Sequence, residues 1–272
     1  DLNNKTDGVA DDILPNTQLS FAYYDSKCDG DGGLAGALSL INDAFPQGID
    51  AIIGAGCSGA SVSAARVASI QQVPLVSPSS LSPDLSDGRA YPYFLRICPA
   101  DALVATAFVD LLRNFFGYTS VAMVSASDAY SAGIADAFRL ASRGEMALST
   151  EVRLAEHAVD LSQETAQLRQ SGARVILLFT LAKDGSNFVR AALAAGVGGE
   201  GFIWLSGDSG LTGIEHWSGD PLDHERAFRG FLAMEPSNGQ GTAAHDAYMA
   251  RRRQLPPMLN QDGSCSLETD DT

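Results

Sequence analysis

The turn at residues 54–59 carries the groups best suited to holding an anion. It reads Gly54-x-Gly56-x-x-Gly59 and lies between a short apolar segment and an Ala/Val/Ser-rich stretch of helical period. The first backbone N–H groups of a helix have no acceptor within that helix, and together with the Ser58 hydroxyl they would attract a negatively charged group. A carboxylate would suit this position as well as a phosphate. Ordinary N-capping of the helix by Ser58 is an equally open interpretation.

A dinucleotide site would need more than the three glycines of this turn. The turn should follow the first strand, and an acidic residue about 20 positions later should hold a ribose hydroxyl. Here an earlier strand is predicted over 18–24, and the strand that follows the turn ends near Ser77, with the nearest acid at Asp84. The pattern argues against nucleotide binding, and we expect no cofactor.

A second stretch, SGDSGL at 206–211, contains the Gly-Asp-Ser-Gly of trypsin-like proteases. That chemistry needs a histidine and a buried aspartate held by two β-barrels, whereas this chain alternates strand and helix. All four histidines lie in polar, loop or surface-helix segments, and none follows a strand end. We therefore expect no enzyme. A hydrolytic activity that is lost in Ser209→Ala would restore that alternative.

The cysteines and the charge exclude further classes of site. Cys28, Cys57, Cys98 and Cys265 form no CxxC pair, and no histidines stand at metal-ligand spacing, so we expect no metal. Composition alone leaves buried thiols and disulfides equally open. The formal net charge of -15 argues against nucleic acid or an anionic membrane surface as a partner. No run of 18 apolar residues occurs, so we expect a soluble fragment.

Short β-branched or aromatic runs alternate with Ala-rich runs of helical period, which predicts an α/β fold with parallel sheets covered on both faces. The predicted strands are 18–24, 50–53, 74–77, 93–97, 119–125, 147–153, 174–180, 202–206 and 229–234. The predicted helices are 33–45, 59–72, 101–116, 130–143, 160–171, 184–196 and 242–253. Asp101, Asp160 and Asp184 are suitable N-caps. The long Ser/Pro-rich loop 77–92 is expected to serve a site.

Four stretches resemble the extracellular "Venus flytrap" ligand-binding domains of class C G-protein-coupled receptors, in particular the type B GABA and metabotropic glutamate receptors. They are YYDSKCDGD at 23–31, GAGCSGASVSAARVAS at 54–69, PLVSPSSLSPDLSDGRAYPYFLRICPAD at 74–101 and GYTSVAMVSASDAYSAGIADAF at 117–138. Fainter similarity continues through 173–197 and 201–210. The resemblance covers roughly residues 15 to 210, and its motifs together are more specific than any one of them.

The resemblance implies a periplasmic-binding-protein type I fold, in which two three-layer lobes with parallel sheets meet at a hinge and hold the ligand in the cleft. We expect residues 1–100 to form an incomplete lobe I, 101–254 to form lobe II, and 255–272 to be an insertion or a cut end. The resemblance also implies truncation at both ends and a location at the extracellular face of a membrane. A membrane-spanning segment of the same full-length chain and a dimer are the expected partners.

The resemblance further assigns site residues. Ser58 matches the serine that receives the ligand carboxylate, and Ser79 matches a glutamate-receptor serine at the same carboxylate. Asp101, Tyr130 and Asp208 match residues that surround the ligand's ammonium, where two carboxylates and an aromatic face would attract a cation. Each of these three also has a structural interpretation: Asp101 as a helix cap, Tyr130 as lobe packing and Asp208 as a turn residue.

The cysteines gain an interpretation from the same resemblance. In the type B GABA receptor, the cysteines that match Cys28 and Cys57 are bridged, which implies a disulfide here. Cys98 and Cys265 stay unassigned, and Cys265 is free to pair with a residue outside this sequence.

The sequence thus predicts a sensor in which a small amino acid-like ligand binds the Ser58/Ser79 side of lobe I and lobe closure transmits the signal. Two residues depart from the relatives. Leu81 stands where both receptor groups place a hydroxyl, and Cys98 occupies the position of a GABA-contacting histidine. The alternatives are a free amino acid or amide solute-binding protein of a transporter, and a dimerisation partner that binds no ligand.

Overall fold

The computed structural model describes residues 3, 6, 12–207, 210–234 and 239–253. The chain divides into two compact units, Asp1–Glu235 and Pro236–Thr272. The first unit contains two parallel sheets, one with three strands and one with five. The α/β fold with parallel sheets that the sequence predicts is therefore confirmed.

The three-stranded sheet and its two helices form the N-terminal part of the first unit. The helices are α1 (Gly30–Asp43) and α2 (Ser58–Gln71), and the parallel strands β1 (Ile52–Ile53), β2 (Leu75–Ser77) and β3 (Phe94–Arg96) are paired in that order. Apolar side chains from both helices and two strands make one core, which consists of Ala37, Ile52, Ala64, Val67, Ala68 and Leu75. This core packs α1 and α2 against strands β1 and β2.

The five-stranded sheet alternates with helices as βαβ units require. Its strands are β4 (Ser120–Ala126), β5 (Ala147–Leu154), β6 (Val175–Phe179), β7 (Ile203–Ser206) and β8 (Leu232–Ala233), in the order β5-β4-β6-β7-β8. The helices are α3 (Asp101–Asp110), α4 (Ala129–Ala141), α5 (Ser162–Gln170), α6 (Ala182–Ala194) and α7 (Pro221–Phe228).

Both faces of this sheet are buried. Successive side chains of a strand point to opposite faces, and the two sets belong to different cores. Along β4, Ala122 and Val124 belong to one core, whereas Val121 and Met123 belong to the other. Strand β6 divides its residues between the two cores in the same way. The near-continuous apolar runs read in the sequence are explained by this double burial.

The second unit contains one described helix, α8 (Ala243–Arg252). Its N-cap is Thr242, whose side chain accepts a hydrogen bond from the backbone N–H of His245. A helix predicted over 242–253 is therefore present.

Close helix packing and a disulfide hold α1 against α2. Gly33 in α1 lies directly on the backbone of Ala60 in α2, with which an added Cβ would overlap. Cys28 and Cys57 are joined, with their Cα atoms 5.2 Å apart, so the predicted bridge is present. A crosslink closing a loop of this size stabilises a domain by about 3 to 4 kcal/mol in the chain-entropy model. The bridge ends one residue before α2 begins.

The predicted strand 18–24 is wrong. This segment forms no strand and leaves large side chains in water, with Tyr23 80% exposed. A strand needs a neighbour for its backbone hydrogen bonds. Here the side chain of Asn3, and not a second strand, bonds the backbone of Leu19. Composition suited to a strand does not supply that neighbour.

The helix boundaries show smaller differences. The predicted helix 101–116 is α3 followed by a π-helical turn, Leu111–Phe115. The caps are also displaced: Asp101 is the first residue of α3, and Asp184 lies inside the first turn of α6. Asp160 does accept a hydrogen bond from the Ser162 N–H ahead of α5.

We predict that Gly33→Ala destabilises the protein by about 1 to 3 kcal/mol, because the added methyl forces α1 away from the backbone of Ala60. Gly59→Ala is the matched control, since a Cβ there meets nothing within 4 Å. Denaturant unfolding of the two variants measures the difference. Equal unfolding midpoints would contradict the packing described here.

Candidate functional site

Hydroxyl groups from α2, from the last residue of β2 and from the loop after β2 converge on two backbone carbonyls of the turn after β1. Ser77 Oγ donates to the Ala55 carbonyl at 2.6 Å, and Ser61 Oγ donates to the same oxygen at 3.0 Å. Ser80 Oγ lies 3.1 Å from both the Ala55 and Gly56 carbonyls and 2.7 Å from Ser61 Oγ. Because β1 and β2 are parallel neighbours, their carboxyl ends bring these segments to one edge.

Ser58 is the first residue of α2 and is 4% exposed. It does not cap the helix, because Cys57 is the N-cap and provides no side-chain hydrogen bond. Its Oγ instead accepts a hydrogen bond of 3.2 Å from the Ser82 N–H. The capping interpretation of Ser58 is therefore wrong. Its hydroxyl retains one hydrogen that can be donated to a ligand.

Ser79 lies on the other side of the same turn and is exposed. Its Oγ donates to the Gly56 carbonyl at 3.0 Å, and a Cβ added at Gly56 would lie 3.3 Å from it. The structure thus brings Ser58 and Ser79 to one turn, beside the amides of the first turn of α2.

Asp101 is tied to the same loop from the other direction. Its backbone N–H donates to the Leu81 carbonyl at 2.9 Å, while its side chain is buried and 1% exposed. Oδ2 has no hydrogen-bond partner among the described residues. Burial raises the pKa of Asp101 to about 7, and the positive charge of Arg96 lowers it by a smaller amount. A buried carboxyl without a partner favours its neutral form.

Arg96, the last residue of β3, stabilises the loop of residues 78–83, to which both Ser58 and Asp101 are bonded. Its guanidinium donates to the carbonyls of Ser80 at 3.1 Å and Ser82 at 2.9 Å, and to the Ser86 hydroxyl. Cys98 follows on the same segment, and its thiol lies 3.7 Å from the Ser80 carbonyl. Burial raises the pKa of the Cys98 thiol.

Helix α4 of the five-stranded sheet meets this loop. A Cβ added at Gly133 would lie 2.9 Å from Pro83 Cδ and 3.0 Å from Ser82 Oγ, so the absence of a side chain permits the contact. Tyr130, one turn earlier, is 8% exposed, and its hydroxyl would lie 3.1 Å from a Cβ at Gly207. Asp128 caps α4 through the Tyr130 and Ser131 amides, at 3.0 Å each.

Four predicted site residues therefore belong to the elements around one loop, residues 78–83. Ser58 is bonded to it, Ser79 is part of it, Asp101 is bonded to it, and Tyr130 is on the helix that packs against it. Asp208 lies outside the described residues. Sequence reasoning missed five residues: Ser61, Ser77, Ser80, Ser82 and Arg96. The Ser/Pro-rich composition of the loop 77–92 was a signal for Ser77, Ser80 and Ser82, whereas Ser61 and Arg96 lie outside that loop.

The arrangement offers hydrogen-bond donors to an anion and a carboxyl oxygen to a cation. Helix amides and the Ser58 hydroxyl offer donors to an anion. Asp101 offers an unpartnered carboxyl oxygen to a cation. Among the described residues, no group of three or more His, Cys, Asp or Glu side chains could hold a metal ion.

Within the described ranges, no helix combines the length and apolarity that crossing a membrane requires.

Comparison with known proteins agrees with this geometry. Residues 8–264 match the family described as "Receptor family ligand binding region". Metabotropic glutamate receptor 6 from Oryctolagus cuniculus and from Rattus norvegicus is 27% identical over 201 residues, which are 70% of this chain. The receptor of the same name from Mus musculus gives the same values. The chain spans 23% of the length of these relatives.

The expected resemblance to class C receptor ligand-binding domains is thereby confirmed, together with the periplasmic-binding-protein type I fold. A special closeness to the type B GABA receptor stays a prediction. The lobe boundaries and the ligand-binding residues also stay predictions.

We predict that Asp101→Asn changes the pH dependence of stability. The folded state holds the Asp101 proton up to about pH 7, whereas an unfolded aspartate releases it near pH 4. The stability from this group is therefore full below about pH 4 and is lost as the pH rises through 7. The asparagine variant should gain stability over the parent between pH 4 and 8, by about 2 to 4 kcal/mol.

Urea unfolding at pH 4, 6 and 8 measures this gain. Asp50→Asn removes an exposed carboxylate and is the control, which should follow the parent at every pH. Parallel stability curves for the parent and Asp101→Asn would contradict the buried acid.

Proposed function

Because the chain belongs to the family of receptor ligand-binding regions, we propose that it is the extracellular part of a membrane receptor and binds a small amino acid-like ligand between two lobes. Lobe I comprises residues 1–100, and lobe II comprises residues 101–254. The membrane-spanning segment belongs to the same full-length protein. Ligand binding favours the closed arrangement of the lobes, and the differential affinity of the two arrangements limits the signal.

The acid end of the ligand is held at the start of α2, and this single site carries the proposal. The Ser58 hydroxyl accepts from the Ser82 N–H, which orients its own hydrogen away from the loop. A carboxylate at this position takes that hydrogen together with the first amides of α2, where the helix dipole is positive. Ser79 completes the site by turning its hydroxyl from the Gly56 carbonyl to the ligand.

The amino end is held by Asp101, with Tyr130 and Asp208 from lobe II. The Asp101 Oδ2 has no hydrogen-bond partner among the described residues, so an ammonium would satisfy a buried oxygen that is otherwise costly. Tyr130, whose side chain is largely buried, offers its ring face to the same cation. Since the Asp101 pKa is about 7, its affinity for an ammonium increases as the pH rises through neutrality.

The departures at Leu81 and Cys98 bear on which ligand fits. Leu81 supplies no hydroxyl, but its carbonyl still anchors the Asp101 amide at 2.9 Å. Cys98 places a thiol at the position of a GABA-contacting histidine. The names of the relatives specify glutamate for those receptors, and we propose an amino acid for this chain without choosing among side chains.

The two rival functions differ from this proposal either in the absence of membrane helices from the full-length protein or in the absence of ligand binding. A free solute-binding protein of a transporter would use the same site, and the full-length gene separates the two by the presence of membrane helices. A dimerisation partner without ligand would give no heat in calorimetry with amino acids. We propose no enzymatic role, since the hydroxyls of Ser61, Ser77, Ser79 and Ser80 are bonded to backbone carbonyls and, among the described residues, no histidine is bonded to them.

We predict that one or more amino acids raise the melting temperature of the protein, and that Ser58→Ala reduces this effect. A ligand at 100 times its dissociation constant stabilises by about 2.7 kcal/mol. A lost hydrogen bond to a carboxylate weakens binding by about 1.5 to 3 kcal/mol, or tenfold and more. A thermal-shift screen of the amino acids and GABA measures both effects.

Ser63→Ala, on the same helix, is the matched control and should bind as the parent does. If the best ligand stabilises parent and Ser58→Ala equally, Ser58 is not the anchor. If no compound in the panel gives a shift, the ligand-free dimerisation role is favoured instead.

We further predict that Gly133→Ala lowers the ligand-induced shift in melting temperature. Within a helix, alanine is favoured over glycine by about 1 kcal/mol, so α4 alone would gain stability. The added methyl, however, pushes against Pro83 and Ser82 across the seam between the lobes. Comparing melting curves with and without ligand separates these effects, and an undiminished shift would show that closure does not depend on this contact.

A further inference from the structure

A recess that is separate from the Ser58 and Ser79 site lies on the five-stranded part of the first unit. Its volume is about 420 Å³, and it is formed between the C-terminal half of α6 and residues 217–226. The lining side chains that matter for binding are Arg190, Trp217, Asp220, Asp223 and Arg226. Pockets of roughly 300 to 1,000 Å³ hold small molecules. None of these residues belongs to α4 or to the loop of residues 78–83, which we call the serine loop.

Trp217 forms a rigid aromatic wall of this recess. Its Nε1–H donates to the Asp220 carbonyl at 3.1 Å, which fixes the indole at one end. The ring also packs edge to face on His224 and Phe228, with centroids 5.3 Å and 5.9 Å away. His224 is held in turn, because its Nε2 lies 2.8 Å from the Thr212 carbonyl. A planar ligand would find this wall already in place.

Three of the four charged groups in the recess are engaged. Asp220 caps α7 by accepting from the Leu222 N–H at 2.9 Å, and Asp223 pairs with Arg226 at 3.1 Å. Arg190 forms no ion pair and no side-chain hydrogen bond among the residues that the structure describes. Its stem passes beside Gly219, where an added Cβ would lie 3.6 Å from Arg190 Cδ and 3.3 Å from Trp217 Nε1.

The uncommitted arginine is notable in this chain. Acidic residues outnumber lysine and arginine by 33 to 18, so an arginine has many carboxylates with which it could pair. Here the glycine at position 219 lets the arginine stem and the indole approach the same stretch of backbone. A guanidinium presents a planar pair of donors that matches a carboxylate.

We propose that this recess binds a small aromatic carboxylate, whose ring packs on Trp217 and whose carboxylate pairs with Arg190. The aromatic contact contributes apolar burial and stacking, and the charge decides the orientation. The neighbouring Asp223–Arg226 pair borders the recess and has no net charge, so Arg190 is the group that orients the ligand's carboxylate. This site is independent of the serine-loop site and of the ligand proposed there.

The test uses 2-naphthoate as the probe and 2-naphthamide as its neutral counterpart, titrated by calorimetry into the protein. We expect 2-naphthoate to bind at least tenfold more tightly than the amide. Arg190→Gln should weaken naphthoate binding at least tenfold and remove the preference over the amide. Arg169→Gln, an exposed arginine on α5, is the matched control and should bind within twofold of the parent.

Two further variants locate the site. Ala194→Phe fills the recess from an exposed position without changing charge and should weaken binding at least tenfold. Ser58→Ala should leave naphthoate binding unchanged. Naphthoate affinity that is insensitive to both Arg190→Gln and Ala194→Phe, or equal affinity for the acid and the amide, would overturn the proposal. Loss of naphthoate binding in Ser58→Ala alone would overturn it as well, by placing the probe at the serine loop.

Discussion

Two backbone carbonyls, those of Ala55 and Gly56, are the points that the serine-loop site depends on. Buried carbonyls without partners are costly, and here hydroxyls from α2 and from the loop after β2 supply the partners. The same bonds tie the turn to the loop. The oxygens are thus satisfied from within the protein, and the amides at the start of α2 are left as the donors available to a guest.

Arg96 and Asp101 both bond the loop after β2, but they affect the stability of the fold in opposite directions. The guanidinium of Arg96 satisfies the Ser80 and Ser82 carbonyls and so keeps the loop closed on β3. Asp101 is buried without an acceptor or donor for Oδ2, so it opposes folding when it is charged. A protein that retains such a group at the junction of two sheets gives up stability there, and a bound cation would restore it. This trade is typical of binding sites.

Most of the fold could be predicted from the sequence, because doubly buried parallel strands are short, near-continuous apolar runs and amphipathic helices have a clear period. Strand β6 is apolar throughout, β4 is apolar from Val121 to Val124, and both faces of their sheet are covered. Segment 18–24 is also rich in apolar and aromatic residues, but whether a strand forms depends on a neighbour that local sequence does not specify. The shift of α3 into a π-helical turn at Leu111 likewise depends on tertiary packing.

The site could be predicted less completely. Ser58 was predicted from the helix start and from the resemblance, and Ser79 from the resemblance alone; the structure brings both to one turn. The roles of Ser61, Ser77 and Ser80 depend on which carbonyl each hydroxyl reaches, which only the folded backbone determines. Gly133 looked like an ordinary helical residue, and its importance comes from a loop about 50 positions earlier.

The Cys28–Cys57 bridge places a redox-sensitive crosslink one residue before Ser58. Thiol reductants would free not only the entry to α1 but also the backbone whose amides are the proposed donors to the ligand. Recombinant protein made in a reducing cytosol would therefore lose recognition before it loses its sheets. Production in an oxidising compartment preserves the geometry on which any binding measurement relies.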